Sequence, residues 1–408
     1  MQQQRNLIFM QHNITSIRPS DTRKSLKHFL ATNKVDIALL PEIWIKQNEE
    51  YRFPGYEFLK SVRPTGYGGV GILINKTIRF EELQIQSVEP LEVIAMKTLG
   101  TTPRILIISI YIPPNPISNK DIKEPLCKLF ENIERLNLPT IIAGDWNAHS
   151  QMWNPYHQTC VRGKLLTKLL DNTNLVILND DTPSMINAPN ITPSIIDLTL
   201  ATPELANKIN WKVLDEEINS NHRIIMFEIQ NTIKTYATNT EYINKKKATE
   251  NINGIDISKI MSPHDIVPVL KEQIQKARYT VRNNKHTPKA WWNDEIEEQL
   301  KLKNKLLITY FRNQTYENYI QFKKSKAKLK QLIRRSSRND WHDLINTINP
   351  SMNNTQLWNT VRRIGGCFKK KNNIHLLNDV NLATEFIQNN FPQLSNDIQF
   401  TEKPISKK

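Results

Sequence analysis

The sequence predicts an α/β protein: a sandwich of mixed β-sheets, followed by a basic, mainly α-helical extension. Three observations lead there. Up to about Gln230 the chain is punctuated by short β-branched runs, with helical patterns between only some of them. Over Gly66–Leu99 two or three strand-like runs follow one another without a helix. That demands antiparallel neighbours, and so mixed sheets instead of a doubly wound parallel sheet. Beyond Gln230 the composition changes, and Lys301–Arg338 carries twelve Lys or Arg against one acid, Glu317.

The strand-like runs are Leu7–Met10, Val35–Leu40, Val70–Ile74, Arg104–Ile112, Thr140–Ala143, Leu175–Leu178, Ile195–Leu200 and Ile224–Ile229. Helical spacing of apolar residues marks Asp21–Thr32, Asp121–Leu136 (Ile122, Leu126, Phe130, Ile133) and Gly163–Asn174 (Leu165, Leu166, Leu169, Leu170). Asn231–Asn253 is polar and reads as a linker, Pro263–Val281 as a helix, and Trp291 to about Ile348 as long helices. A further helix is expected at Ala383–Asn389. The expected boundaries are an α/β domain over 1–230, a polar linker over 231–262, a basic helical connector over 263–366 and a partly ordered segment over 367–408.

The bulk numbers narrow the function. A hydrophobic fraction of 39% excludes a disordered chain. A net charge of +15 favours a polyanionic partner, nucleic acid first and an acidic membrane surface second, because each neutralised phosphate releases counterions. Cys127, Cys160 and Cys367 lie too far apart for a paired zinc motif or a disulfide framework, which fits a reducing compartment. The N-terminus reads as neither a signal peptide nor a membrane span, so the expectation is a protein that is not secreted and has no membrane partner.

Six segments place polar chemistry at strand ends. Ile141–His149 ends an apolar strand in Gly144-Asp145-Trp146-Asn147. Asp145 suits deprotonation of a water and Asn147 its orientation; an ordinary Asx turn is the alternative. Val35–Glu42 delivers one carboxylate, Glu42, which suits Mg²⁺, an ion that takes few protein carboxylates; a solvated loop Glu is the alternative. Ile107–Pro114 carries Tyr111, a donor toward a phosphoryl oxygen or else a half-buried strand residue. Asp197 sits among β-branched residues and requires a partner, and His222 in Ser220-Asn221-His222 supplies one. Asn13 follows the first strand, as a metal-site residue or a turn residue.

Taken in order, these motifs resemble the endonuclease/exonuclease/phosphatase superfamily, and within it the endonuclease domain of jockey-like non-LTR retrotransposon polyproteins. The match covers nearly all of Leu7–Gln230. The resemblance implies a four-layer α/β sandwich, two mixed sheets face to face with helices outside. It implies Glu42, helped by Asn13 and the Asn221 position, as the holders of Mg²⁺, or Mn²⁺ in its place. It also implies Asp145 and Asn147 acting on water, and His222, paired with Asp197, acting with Tyr111 on the phosphate. The expected activity is nicking of double-stranded DNA, leaving 3′-hydroxyl and 5′-phosphate ends, to prime reverse transcription in the nucleus. The family reads Ser-Asp-His where this chain has Ser220-Asn221-His222, and often Asp or Asn where it has Thr15.

Trp291-Trp292, Arg338-Asn339-Asp340-Trp341 and Leu357–Gly366 resemble the connector that precedes the reverse transcriptase, so the chain is expected to be the front part of a longer polyprotein, with a missing polymerase after residue 366. The basic helices are then expected to touch DNA phosphates and the element's RNA. Two other readings compete: a binding-only remnant, favoured by Asn221, and a phosphatase of lipid or inositol phosphates. Gly66–Gly71 fits Gly-X-Gly-X-X-Gly, but a strand follows it where a dinucleotide site needs a helix, so it reads as a turn.

Overall fold

A strand covered on both faces reads as an unbroken apolar run. Ile37–Pro41 and Leu106–Tyr111 are such runs. Every residue of both is buried in the computed structural model, which describes residues 4–85, 90–114, 119–234, 240–243, 245–255, 263–281 and 291–346. In chain order the strands up to Lys234 are β1 (Gln4–Gln11), β2 (Ile37–Pro41), β3 (Tyr56–Ser61), β4 (Val70–Asn75), β5 (Phe80–Leu83) and β6 (Glu92–Thr98). There follow β7 (Leu106–Tyr111), β8 (Thr140–Asp145), β9 (Val176–Ile177), β10 (Asp197–Ala201), β11 (Ile209–Val213) and β12 (Ile225–Lys234). They form two six-stranded sheets, ordered β11-β12-β1-β2-β4-β3 and β5-β6-β7-β8-β10-β9.

Each sheet is antiparallel apart from one inner parallel pair, β1–β2 in the first and β7–β8 in the second. A parallel pair needs a long crossover. Helices α1 (Ser20–Thr32) and α2 (Asn119–Leu136) supply the two. Alternation then sorts the side chains into layers. Leu7, Phe9, Ile37 and Leu39 face Met96, Ile107 and Ile141 between the sheets, where Phe9 stacks on Phe227. Met10, Ala38 and Leu40 point the other way, onto Leu26, Phe29 and Leu30 of α1. Ile108, Ile110 and Ile142 do the same on the far side, against α2 and α3 (Val161–Leu170). The result is the expected four-layer sandwich.

A buried polar residue crosses this core. Gln11, fully buried, donates to the carbonyls of Gly144 (3.1 Å) and Leu198 (3.2 Å) in the opposite sheet and accepts from Thr199 Oγ1 (2.6 Å). The Gly-rich segment is a turn as read: Gly66, Gly68 and Gly69 all have left-handed φ just before β4.

Beyond a short helix α4 (Pro203–Ala206), the rest of the described chain is β13 (Thr240–Ile243), α5 (Lys245–Asn253), α6 (Pro263–Lys276), β14 (Arg278–Val281), α7 (Asp294–Arg312) and α8 (Tyr316–Asn346). The helix expected over Pro263–Val281 is shorter: it stops at Lys276. The aromatic and β-branched Arg278–Val281 pairs antiparallel with β13 instead. Asn293 caps α7 by accepting from Ile296 N (3.0 Å), with three acids in the first turn. Helix α8 docks through Phe322, Ser325, Lys326, Leu329, Leu332 and Ile333, one face at helical spacing. Trp291 packs with Leu329, Leu332 and Ile333, and Trp292 stacks on His28 of α1. Met1–Arg338 forms one compact unit and Asn339–Lys408 a second. The helix expected at Ala383–Asn389 and the polymerase-like start lie outside the described residues. Among the described residues no helix is long and apolar enough to cross a membrane.

Candidate active site

The two parallel pairs bring four strand ends to one edge of the sandwich. Asn13 lies just past β1, Glu42 just past β2, Tyr111 ends β7 and Asp145 ends β8. The antiparallel neighbours start where these stop: Asp197 opens β10 opposite Asp145, and Ile225 of β12 pairs with Gln11, which leaves His222 beside the same edge. Glu42 (φ 55°) and Asn147 (φ 45°) are both left-handed, a costly conformation for such residues and one that turns the chain sharply at the strand end.

Asn13 is the hub. Its Nδ2 donates to Glu42 Oε1 (2.8 Å) and to Asp145 Oδ2 (2.9 Å), which joins the two sheets. Its Oδ1 accepts from the amide of Thr15 (3.1 Å). Trp44 Nε1 donates to the other Glu42 oxygen (3.1 Å). Asp145 Oδ1 accepts from the Asn147 amide (3.0 Å), and Asn147 Nδ2 donates to the Ile112 carbonyl (3.0 Å). His222 Nδ1 and Asp197 Oδ2 are 2.7 Å apart. The Tyr111 hydroxyl bonds to Glu42.

Burial sets the electrostatics. Burial first, then the Asp197 and Glu42 carboxylates, push the Asp145 carboxyl up to about 8, against the pull of His222 and Asn13. Burial by itself would discharge His222, but the Asp197 carboxylate outweighs it and holds the imidazole up at about 9. Burial and the nearby carboxylates of Glu42, Asp145 and Glu92 raise the Tyr111 hydroxyl well above the usual tyrosine range, so it stays a donor. Burial and the neighbouring His222 lower His12 to about 4.

Asp145, Asp197 and His222 present ligand atoms within 4.8 Å of one another, a set able to hold a metal ion. The residues fit a hard divalent cation. Asp197 Oδ1 is buried without a hydrogen-bond partner, and the crowding of Glu42, Asp145 and Asp197 raises a carboxyl that a cation would restore to its charged form.

Seven of the eight residues singled out in the sequence thus gather at this edge. Asn221 takes another direction: its side chain is exposed and accepts from Lys323 Nζ of α8 (3.4 Å). Sequence reasoning missed the support. Arg162, buried at the start of α3, donates to the carbonyls of Pro113 (3.0 Å) and Asn147 (3.0 Å). Next to it Gly163 packs closely on His149 O, where a Cβ would sit 1.8 Å from the carbonyl. His149 and His157 stack on each other, ring centroids 4.2 Å apart.

The layered fold, and the order in which its strand ends meet, agree with the resemblance to the endonuclease/exonuclease/phosphatase superfamily. Residues 105–226 match the family described as "Endonuclease-reverse transcriptase", and the jockey-like resemblance holds. The chain is 22% identical over 209 residues to the RNA-directed DNA polymerase from mobile element jockey of Drosophila funebris, covering 50% of this chain and 22% of that one. It is 27% identical over 185 residues to the probable RNA-directed DNA polymerase from transposon BS of Drosophila melanogaster, covering 43% and 19%. The chain therefore spans about a fifth of the length of these curated relatives. Among solved structures, the endonuclease domain of TRAS1, a telomere-specific non-LTR retrotransposon, aligns at 22% identity and a TM-score of 0.46, over 55% of this chain and 99% of that one. The AP endonuclease LMAP from Leishmania major aligns at 16% identity and 0.45, over 55% and 88%.

Proposed function

We propose that this protein is a Mg²⁺-dependent endonuclease that nicks one strand of duplex target DNA by phosphodiester hydrolysis. The products would be 3′-hydroxyl and 5′-phosphate ends, used in the nucleus to prime reverse transcription of a non-LTR retrotransposon. The observation that carries this reading is the joining of Asn13, Glu42 and Asp145 by one amide, next to the Asp197–His222 pair.

Glu42, positioned by Asn13, would hold the divalent ion, which neutralises charge on the phosphate. Asp145 accepts the proton of the attacking water, and Asn147 orients that water. His222, kept charged by Asp197, and the Tyr111 hydroxyl donate to the phosphoryl oxygens as negative charge grows there. The exposed cations of α8, Lys324, Lys328, Arg335 and Arg338, add sequence-independent contacts to DNA phosphates or to the element's RNA.

Asn221, where the family has Asp, favours a second reading: nucleic-acid binding without turnover. Relaxation of supercoiled plasmid in Mg²⁺ by the full chain, repeated with Asp145→Ala, separates the two. Nicking that needs both Mg²⁺ and Asp145 is the expected result; binding without nicking selects the second reading. Turnover of inositol or lipid phosphates in place of plasmid would point to a phosphatase.

A further inference from the structure

The segment that ends in His222 is held from outside the sandwich. Glu217, buried beneath it, accepts from Lys303 Nζ of α7 (3.2 Å), Lys326 Nζ of α8 (2.8 Å) and the Ser220 amide (3.1 Å). Both lysines are buried and also cap the backbone: Lys303 donates to the Glu217 carbonyl (3.0 Å) and Lys326 to the Ser220 carbonyl (2.7 Å). Ser220 Oγ in turn accepts from the His222 amide (3.1 Å) and pairs with Thr15 Oγ1 (2.9 Å). Phe311 of α7 lies under the Arg223 guanidinium, 4.4 Å from its centre. Two lysines lose their water here, which is unfavourable unless the charge is paired and hydrogen-bonded, and each ammonium meets one Glu217 carboxylate oxygen and one backbone carbonyl. A helix face that merely rests on a domain needs apolar contact. This one places two charges on the residues flanking the imidazole.

We propose that Lys303 and Lys326, acting through Glu217 and the Ser220 carbonyl, are positioning residues for His222, so that α7 and α8 complete the active site. The inference rests on the nuclease reading above. The lysines touch neither the proposed metal ligands nor the phosphate; they fix the loop whose last residue does. Displacing a reacting group by about 1 Å can cost on the order of 100-fold in rate.

The test uses the full chain. Plasmid nicking in Mg²⁺ is measured as kcat and KM for Lys303→Met, Lys326→Met, Lys326→Gln and Lys326→Arg. Amide hydrogen exchange of residues 216–223 is followed in parallel. Lys326→Met is expected to lose about 10- to 100-fold in kcat with KM altered less than about threefold. Lys326→Arg, which keeps charge and donors, should recover most of the loss, and exchange at Ser220 and His222 should quicken in Lys326→Met. Glu298→Gln, an exposed site on α7, should stay within about twofold of the parent. Should the methionine variants fail to fold, Lys326→Gln keeps a donor for the Ser220 carbonyl and should show a partial loss. A kcat within about twofold of the parent in folded Lys326→Met or, where that variant does not fold, in Lys326→Gln overturns the proposal. A parent protein that does not nick sinks the nuclease reading instead. The exchange measurement still decides the brace in that case, and unchanged protection at 216–223 rejects it.

Discussion

Asp145 sits where two sheets meet, and its carboxylate is shared between Asn13 and the Asn147 amide. Replacing it with Ala removes the proton acceptor, and nicking should fall by about 10²- to 10⁴-fold, read from initial rates on supercoiled plasmid. The Asp197–His222 pair makes a prediction with a sign. Asp197 raises His222 to about 9, and His222 acts as the imidazolium, so activity should be lost as pH rises through that value. In Asp197→Asn the pKa drops, and the alkaline limb of the pH–rate profile should move to lower pH; an unmoved limb would remove His222 from its role. These residues were legible because each ends or opens an apolar run. Asn221 shows why adjacency is a poorer guide. His222 lies in an extended bridge with Met185, and neighbours in extended chain point to opposite sides. The imidazole turns inward and the amide turns out to Lys323.

Among the elements, most inner strands announced themselves, whereas the edge strands β3 and β11 did not. Strands β3 and β11 are half-exposed and carry Glu57, Lys60, Asn210 and Lys212, so no β-branched run marks them. The sequence offers every cation of α8 alike to phosphate; in the fold Lys326 turns inward, and Lys324 and Lys328 stay outside. Lys303 and its partner Glu217 lie 86 residues apart, and nothing local in either segment signals the pairing. That pairing should appear in stability. Burial would raise the Glu217 carboxyl, but Lys303 and Lys326 override it and hold it down at about 2, below the ordinary 4.5. A depressed carboxylate stabilises the fold above its unfolded pKa. On the order of 3 kcal/mol should therefore be present at neutral pH and fade as pH falls from about 4.5 to about 2, measured by urea unfolding across that window. Glu217→Gln at neutral pH leaves two buried ammonium groups underpaired and should cost about 3–5 kcal/mol. On the outer face, Lys324→Gln with Lys328→Gln should weaken DNA binding and flatten its salt dependence by about 0.9 in slope for each phosphate left without its lysine. An unchanged slope would take α8 out of the DNA interface.

At the scale of the whole molecule, the site is divided between two sheets of the same plan, each with one parallel pair and one crossover helix. The first sheet supplies Asn13 and Glu42; the second supplies Tyr111, Asp145 and Asp197. Directly behind them Gln11 bonds from the first sheet into the second. Gln11→Met keeps the volume but takes from the Thr199 hydroxyl its acceptor and from the Gly144 and Leu198 carbonyls their second donor, and should cost about 1–3 kcal/mol in a denaturant melt, with loss of activity exceeding loss of stability. A slip of one layer over the other by a single residue, about 3.4 Å, would carry the Asn13 amide out of reach of Asp145. Gln11 therefore serves as an index pin. It sets the alignment of the two layers before any substrate arrives, so adjustment to DNA is left to the loops at the rim and the helices outside.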